Sequence, residues 1–414
     1  MSIKNVLITI SIVLILLLSS LIGYYFIINS NSVDNNITKR GIRAFLPFGG
    51  NDNVTEPQST STSPAVSTEP ELKHDTNFNK KLRKITSEQV AGAGTLDIKA
   101  GTIIRYIEKA TGHIYEVEMF SPRQSRISNT TIPVVYDAMW GNNGNSLMAR
   151  YLKDDNRTVD TYSINIKNTS TTTENIIDGI LFPKNTDDVS VYGNSVFYLI
   201  KDSASTLGFI SSFDGSKPKQ IWNSPLKEIS SQFVNDKYVS ITTKPYQNIA
   251  GFMYLIDTKT GKYLKVLGDI VGLSGLVSPD AKNIIYINQN ERIGMYVYNQ
   301  KSNRSAKIIP STFPEKCVWS KKREGVAYCA VPKETLSGNS LTNWYLGRVT
   351  YNDDIWIYDT VKQVAFLVSN ISSESGEKID VIKPVLSDNE QYLVFMNKKD
   401  NTLWSLDLLQ TSNN

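Results

Sequence analysis

The chain has 414 residues, 40% of them apolar and 20% charged, which is the balance of a globular protein with room for one large domain and accessory segments. Its net charge of +4 is too mild to indicate a nucleic-acid binder, which concentrates basic residues in a strong stripe.

Residues 6–28 carry no charge and are rich in Leu, Ile and Val. At a rise of about 1.5 Å per residue the run is long enough to cross the hydrocarbon core of a bilayer. A cleaved signal peptide is the competing reading. The run exceeds a usual signal core, no small-x-small cleavage site follows, and no Cys follows to accept a lipid. Residues 1–29 are therefore read as a membrane anchor. Orientation is contested within the sequence. Lys4 precedes the run and Lys39, Arg40 and Arg43 follow it, which by charge bias alone holds the remainder in the cytoplasm. The short N-terminal tail, the Ser/Thr/Pro-rich stretch beyond, and two cysteines placed to pair favour a folded part outside the cytoplasm.

Residues 30–79 show no apolar periodicity and are read as a flexible linker, with Thr55-Glu56-Pro57-Gln58-Ser59-Thr60 typical of it. Within it, Lys39-Arg40-Gly41-Ile42-Arg43-Ala44-Phe45-Leu46-Pro47-Phe48 mixes basic and large apolar residues. That piece fits either a bilayer interface or plain linker.

From residue 80 onward strand patterns dominate and no helical period persists. Seven aromatic residues, Tyr115, Tyr162, Phe209, Tyr254, Tyr296, Trp356 and Trp404, recur at steps of 47, 47, 45, 42, 60 and 48. Each stands three before a residue that is usually Asp, Asn or Glu, as in Tyr254-Leu255-Ile256-Asp257 and Trp356-Ile357-Tyr358-Asp359. A repeat of this length built from short strands is one blade of a β-propeller, so residues 80–414 are expected to form seven four-stranded blades, an all-β fold. The aromatic falls in the third strand and is expected to pack between blades. The first two strands form a hairpin with turn chemistry such as Ser278-Pro279-Asp280-Ala281-Lys282 and Ser387-Asp388-Asn389-Glu390-Gln391. Blade seven has only three strands before the chain runs out, while Lys81-Leu82-Arg83-Lys84-Ile85-Thr86 looks like a fourth strand. That segment is expected to complete blade seven and close the ring.

The Ser-Pro-Asp-x-Lys hairpin followed by aromatic-x-apolar-Asp resembles the WD40-like repeats of the TolB-type and dipeptidyl-peptidase-type β-propellers. The resemblance covers about residues 80–410. It implies the fold and, from the TolB-type members, protein partners in a cell envelope. The peptidase relatives carry catalysis in a separate hydrolase domain, so their activity is not transferred.

The search for chemistry returns little. His74 is placed in the linker and His113 in the exposed turn Ala110-Thr111-Gly112-His113; no Gly-x-Ser-x-Gly elbow is present. No His/Cys cluster has zinc spacing and no calcium loop appears, so no metal or cofactor is assigned. The pairs Asp154-Asp155, Asp187-Asp188 and Asp353-Asp354 are read as solvated turn residues. The expectation is a protein without enzymatic activity that binds a protein or glycan partner, or serves as a scaffold, at the cell envelope. The alternatives are a propeller hydrolase or lyase acting on polysaccharide or peptide, and a cytoplasm-facing scaffold. Cys317 and Cys329 flank the blade-six hairpin and face each other if Trp319 faces Ala327; they are read as a candidate disulfide, or else as two buried thiols.

The 60-residue step marks an insertion between the second and third strands of blade six, about 332–352, containing Trp344, Tyr345 and Arg348. Loops of the same kind in neighbouring blades carry Tyr246 and Arg292, and they share one face of the ring. Trp, Tyr and Arg are the preferred anchors of interfaces, so these five are the candidate partner-binding residues. A competing reading has the insertion fold over its own blade and bury Trp344.

Overall fold

The computed structural model describes residues 77–410 and the strand Lys73–His74, apart from 129, 154, 156, 168–175 and 290–291. The expected membrane span at 6–28 and the basic-apolar stretch at 39–48 lie outside the described residues, among which no helix is long and apolar enough to cross a membrane.

The described chain forms seven antiparallel sheets, and the protein is a seven-bladed β-propeller. In blades two to six the strand order follows the chain, from the first strand at the axis to the fourth at the rim. The first strands of successive blades touch, for example Val90–Ile98 against Val135–Gly141 and Cys317–Trp319 against Val381–Leu386. The closure expected from the sequence is present. Leu82–Lys84 pairs antiparallel with Leu403–Asp407, setting Leu82 opposite Leu406 and Lys84 opposite Trp404. Blade one is widened rather than trimmed: Lys73–His74 adds a fifth strand beyond Arg123–Arg126, so the residues read as the end of the linker belong in part to the sheet.

Second strands read as unbroken apolar runs because both of their faces are covered. In Tyr392–Asn397, Leu393 and Phe395 face blade six and pack with Tyr328, Ile355 and Val381, while Val394 and Met396 face blade one and pack with Ile104 and Val117. Burying each such side chain contributes about 1.5–3 kcal/mol. All seven repeat aromatics lie in third strands. Tyr162 and Trp404 are buried and the other five pack against the inter-blade clusters. Tyr115, Phe209 and Tyr296 stack on the tyrosine directly opposite in the second strand, Tyr106, Tyr198 and Tyr286, with centroids 5.2–5.5 Å apart.

Where the residue three after the aromatic is Asp, it has a local task. Asp257 Oδ1 accepts from the amides of Lys259 and Thr260, and Asp359 Oδ1 from those of Val361 and Lys362, fixing the turn into the fourth strand. The Ser-Pro-Asp hairpin works similarly. Ser278 Oγ donates to Asp280 and accepts from the Asn283 amide, and Ala281 takes the left-handed conformation at φ 57°.

Cys317 and Cys329 occupy paired positions of the blade-six hairpin, with Cα atoms 4.1 Å apart, and are joined as a disulfide.

Candidate functional site at the blade-six insertion

Strand parity puts loops between second and third strands on the same face as the connections from one blade to the next. The blade-six insertion therefore stands over the connection that enters blade six and the one that enters blade seven. Its helix, Ser340–Tyr345, is short and starts without a side-chain cap. It ends firmly. Gly347 takes φ 68°, the Gly347 amide donates to Trp344 O at 3.1 Å, and the Arg348 amide reaches back to Asn343 O at 2.9 Å, a left-handed glycine stop.

A buried charge cluster holds this helix down. Lys316, Asp353 and Asp380 are each 0% exposed. Lys316 Nζ forms ion pairs with Asp353 Oδ2 and Asp380 Oδ1 and donates to Val381 O at 3.2 Å. Asp380 also accepts from Trp344 Nε1, 3.0 Å from each carboxylate oxygen, and from the Tyr351 amide at 3.1 Å. Asp353 Oδ2 accepts from the Val381 amide at 2.7 Å, whereas its Oδ1 is buried with no hydrogen-bond partner. Burial pushes the Asp353 carboxyl up to about 6; Lys316 opposes the shift and Asp380 adds to it. Two cations stand over the Trp344 ring, Lys398 Nζ at 4.4 Å and Lys316 Nζ at 5.0 Å from its centroid, and the ring packs on Phe313 at 5.4 Å. Burial lowers the Lys398 ammonium from its usual value.

A second cluster joins the insertion to blade five. Glu315 Oε1 accepts from both Ser274 Oγ and Tyr345 OH, and Gln289 Nε2 donates to Gly338 O. Tyr345 as a whole is 47% exposed; its hydroxyl end is the enclosed part, and burial raises the phenol well above its usual value, with the Glu315 charge adding to the shift. The phenol is therefore a proton donor toward Glu315.

The five candidate residues separate accordingly. Trp344, 4% exposed, is an internal support, the outcome the competing reading described. Tyr345 keeps an exposed ring, Arg348 and Arg292 are exposed, and Tyr246 is 56% exposed. Two aliphatic neighbours join them on the same loops, Leu346 at 56% and Ile249 at 58%. These residues belong to blades four, five and six, three successive blades of one face.

Sequence reasoning missed Lys316, Glu315, Ser274 and Asp380, which are dispersed along the chain and meet only through the ring. It also misplaced two acid pairs. Asp187-Asp188 and Asp353-Asp354 are strand residues, in Thr186–Tyr192 and Asp353–Asp359, not solvated turns. Asp188 accepts from Ser231 N at 2.7 Å and Oγ at 2.6 Å, and burial pushes its carboxyl up to about 6; Asp354 pairs with Lys333 at 3.3 Å. Asp155 does behave as a turn residue, accepting from the Arg157 and Thr158 amides; Asp154 is outside the described residues. His113 is half-buried, not fully exposed, and burial lowers its imidazole, with Arg126 acting in the same direction. Among the described residues no group of three or more His, Cys, Asp or Glu side chains is gathered as a metal site would require.

No family model and no curated protein sequence matches the chain. Solved structures do match. An oligogalacturonate lyase from Vibrio parahaemolyticus superposes with a TM-score of 0.52 at 8% identity, over 82% of this chain and 96% of that one. An oligogalacturonate lyase in complex with manganese gives 0.53 at 8% identity, over 83% and 96%. TolB from Acinetobacter baumannii gives 0.43 at 10% identity, over 77% and 79%. At these identities the likeness concerns fold alone. It nonetheless corrects one expectation. The sequence was read as that of a protein without enzymatic activity because it lacks a triad elbow and a zinc motif. The same architecture serves as a lyase in two of these structures, so the lack of those motifs does not make the protein a non-enzyme.

Proposed function

We propose that the propeller is a protein-recognition module of the cell envelope, tethered by residues 6–28 with its folded part outside the cytoplasm, and that the face carrying the blade-six insertion receives the partner. One observation carries the reading: an insertion pinned from below by a fully buried Lys316–Asp353–Asp380 cluster turns the Tyr345 ring, Leu346 and Arg348 outward at the end of its helix and the turn that follows. A rigid scaffold under exposed loop residues is the usual setting for binding. The surface mixes aromatic, aliphatic and Arg side chains, the composition of protein hot spots; exposed Leu346 and Ile249 favour a protein over a glycan. Residues 1–72 supply the tether and reach.

The test uses exposed positions only. Tyr246→Ala with Arg348→Ala in the full chain is expected to abolish co-purification of the membrane partner with the melting temperature unchanged. Undiminished co-purification would count against this face. Trp344→Ala is unsuitable as a probe, because it removes an internal support.

A second reading rests on the Tyr345–Glu315–Ser274 cluster and the lyase architecture: an acid–phenol pair acting on an acidic polysaccharide. If it holds, the purified chain converts polygalacturonate to an unsaturated, ultraviolet-absorbing product and Tyr345→Phe abolishes the conversion. No product from the wild type would exclude it for that substrate.

A further inference from the structure

The cluster beneath the insertion sets one ammonium, Lys316, against two carboxylates, Asp353 and Asp380, at a place closed to solvent. With both acids ionised it holds an excess negative charge. Uncompensated charge is costly to bury, and a buried acid avoids that cost by taking a proton. The hydrogen bonds decide which acid takes it. Asp380 accepts at both oxygens, from Lys316 Nζ and Trp344 Nε1 at Oδ1 and from Trp344 Nε1 and the Tyr351 amide at Oδ2. Donors placed in this way favour the ionised form. Asp353 receives both of its donors, Lys316 Nζ and the Val381 amide, at Oδ2. Its Oδ1 has no partner among the described residues. At that oxygen a neutral acid is less costly to bury than a bare charge.

We propose that the cluster is a proton-operated latch: Asp353 holds a proton at Oδ1 when the latch is shut, and release of that proton loosens residues 333–352 from the ring. The insertion leaves the sheet at Pro332 and re-enters it at Asp353, directly opposite. Asp380 holds it from within, through Trp344 and the Tyr351 amide. When Asp353 ionises, two carboxylates repel each other and compete for one ammonium, and the bonds from Asp380 to the insertion weaken. The surrounding charged and titratable groups do not relieve this. Lys398 stands over the Trp344 ring and donates to Trp344 O. Burial raises the Tyr351 phenol, which stays neutral. Lys333 pairs with Asp354 at 3.3 Å, Glu374 accepts from Ser369 Oγ, Glu334 accepts from the Asn352 amide, and Glu315 is turned to Ser274 and Tyr345. The direction of the pH dependence follows. The Asp353 carboxyl, pushed up to about 6 by burial, lies above its unfolded value near 3.9. The stability linked to its proton is therefore full at low pH and is lost as pH rises from about 4 through 6. The latch belongs to the insertion itself and does not depend on a partner for the face above it.

The Tyr351 amide, 3.1 Å from Asp380 Oδ2, reports the latch directly. Its hydrogen-exchange protection is measured in the full chain in detergent at pH 5 and pH 7.5, corrected for the intrinsic pH dependence of exchange. The wild type is expected to be about tenfold better protected at pH 5. Asp353→Asn, which fixes the neutral form, is expected to protect this amide equally at both pH values. Asp188→Asn, which removes the buried acid of blade three that titrates in the same range, is expected to keep the wild-type step. Equal protection in the wild type, or a step that survives Asp353→Asn, overturns the proposal. If Asp353→Asn does not fold, the other two chains decide: no step in the wild type, or a step lost in Asp188→Asn, overturns it equally.

Discussion

Lys316 is the residue on which the insertion depends. Its ammonium is fully enclosed and faces two carboxylates that are equally enclosed. Removing one partner of a buried ion pair leaves uncompensated charge, typically at a cost of about 3–5 kcal/mol. Lys316→Met is therefore expected to lower the unfolding free energy by that amount, as read from denaturant midpoints. The buried acid Asp188 makes a separate prediction. Its carboxyl, pushed up to about 6 by burial, binds a proton in the folded state over a range where the unfolded chain, near 3.9, does not. Stability from this group is greatest at low pH and falls as pH rises from about 4 to 6. The stability difference between wild type and Asp188→Asn should thus shift in favour of the wild type on going from pH 7 to pH 4.5. Parallel pH profiles would contradict the assignment. The burial of Asp188 and of Asp353 was not legible in the sequence. Both sit in pairs of adjacent acids that resemble turn chemistry, and only the packing of neighbouring blades encloses them.

Elements are where the sequence was most informative. Aromatic spacing and the Ser-Pro-Asp turns are set by local geometry repeated seven times, so the blades and their third strands could be placed from residues alone. The closing strand was legible because it supplies the apolar pattern that blade seven lacks. Its role is energetic as well as topological: Leu82 and Ile85 enter two different inter-blade clusters, and Arg83, 1% exposed, reaches blade one, with Nη1 3.5 Å from Glu118 O. Deleting residues 80–86 is expected to cost about 3–6 kcal/mol from these two apolar side chains alone. Hydrogen exchange should then rise in blades one and seven together. The helix of the insertion was not legible, because six residues carry no helical period. Its stop is nonetheless testable. Gly347 has no atom within 4 Å of a built Cβ, so Gly347→Ala meets only the left-handed backbone at φ 68°. The expected loss is about 1 kcal/mol in thermal unfolding.

At the scale of the whole molecule the ring converts a sequence distance into a surface. Residues 246, 292 and 348 are far apart in the chain and come to one face because their loops hold the same place in successive blades. The sequence identified that face through a single irregular repeat step. It could not show which of the insertion's residues turn inward, since that depends on the charge cluster beneath it. The central claim is that this face receives a protein partner. It is tested most directly by placing a photo-crosslinking residue at Arg348 and, as a control, at Lys262 on the opposite face, in the full chain in native membranes. The account predicts one discrete protein adduct from position 348 and none from position 262. Adducts from 262 alone, or equally from both, would contradict it.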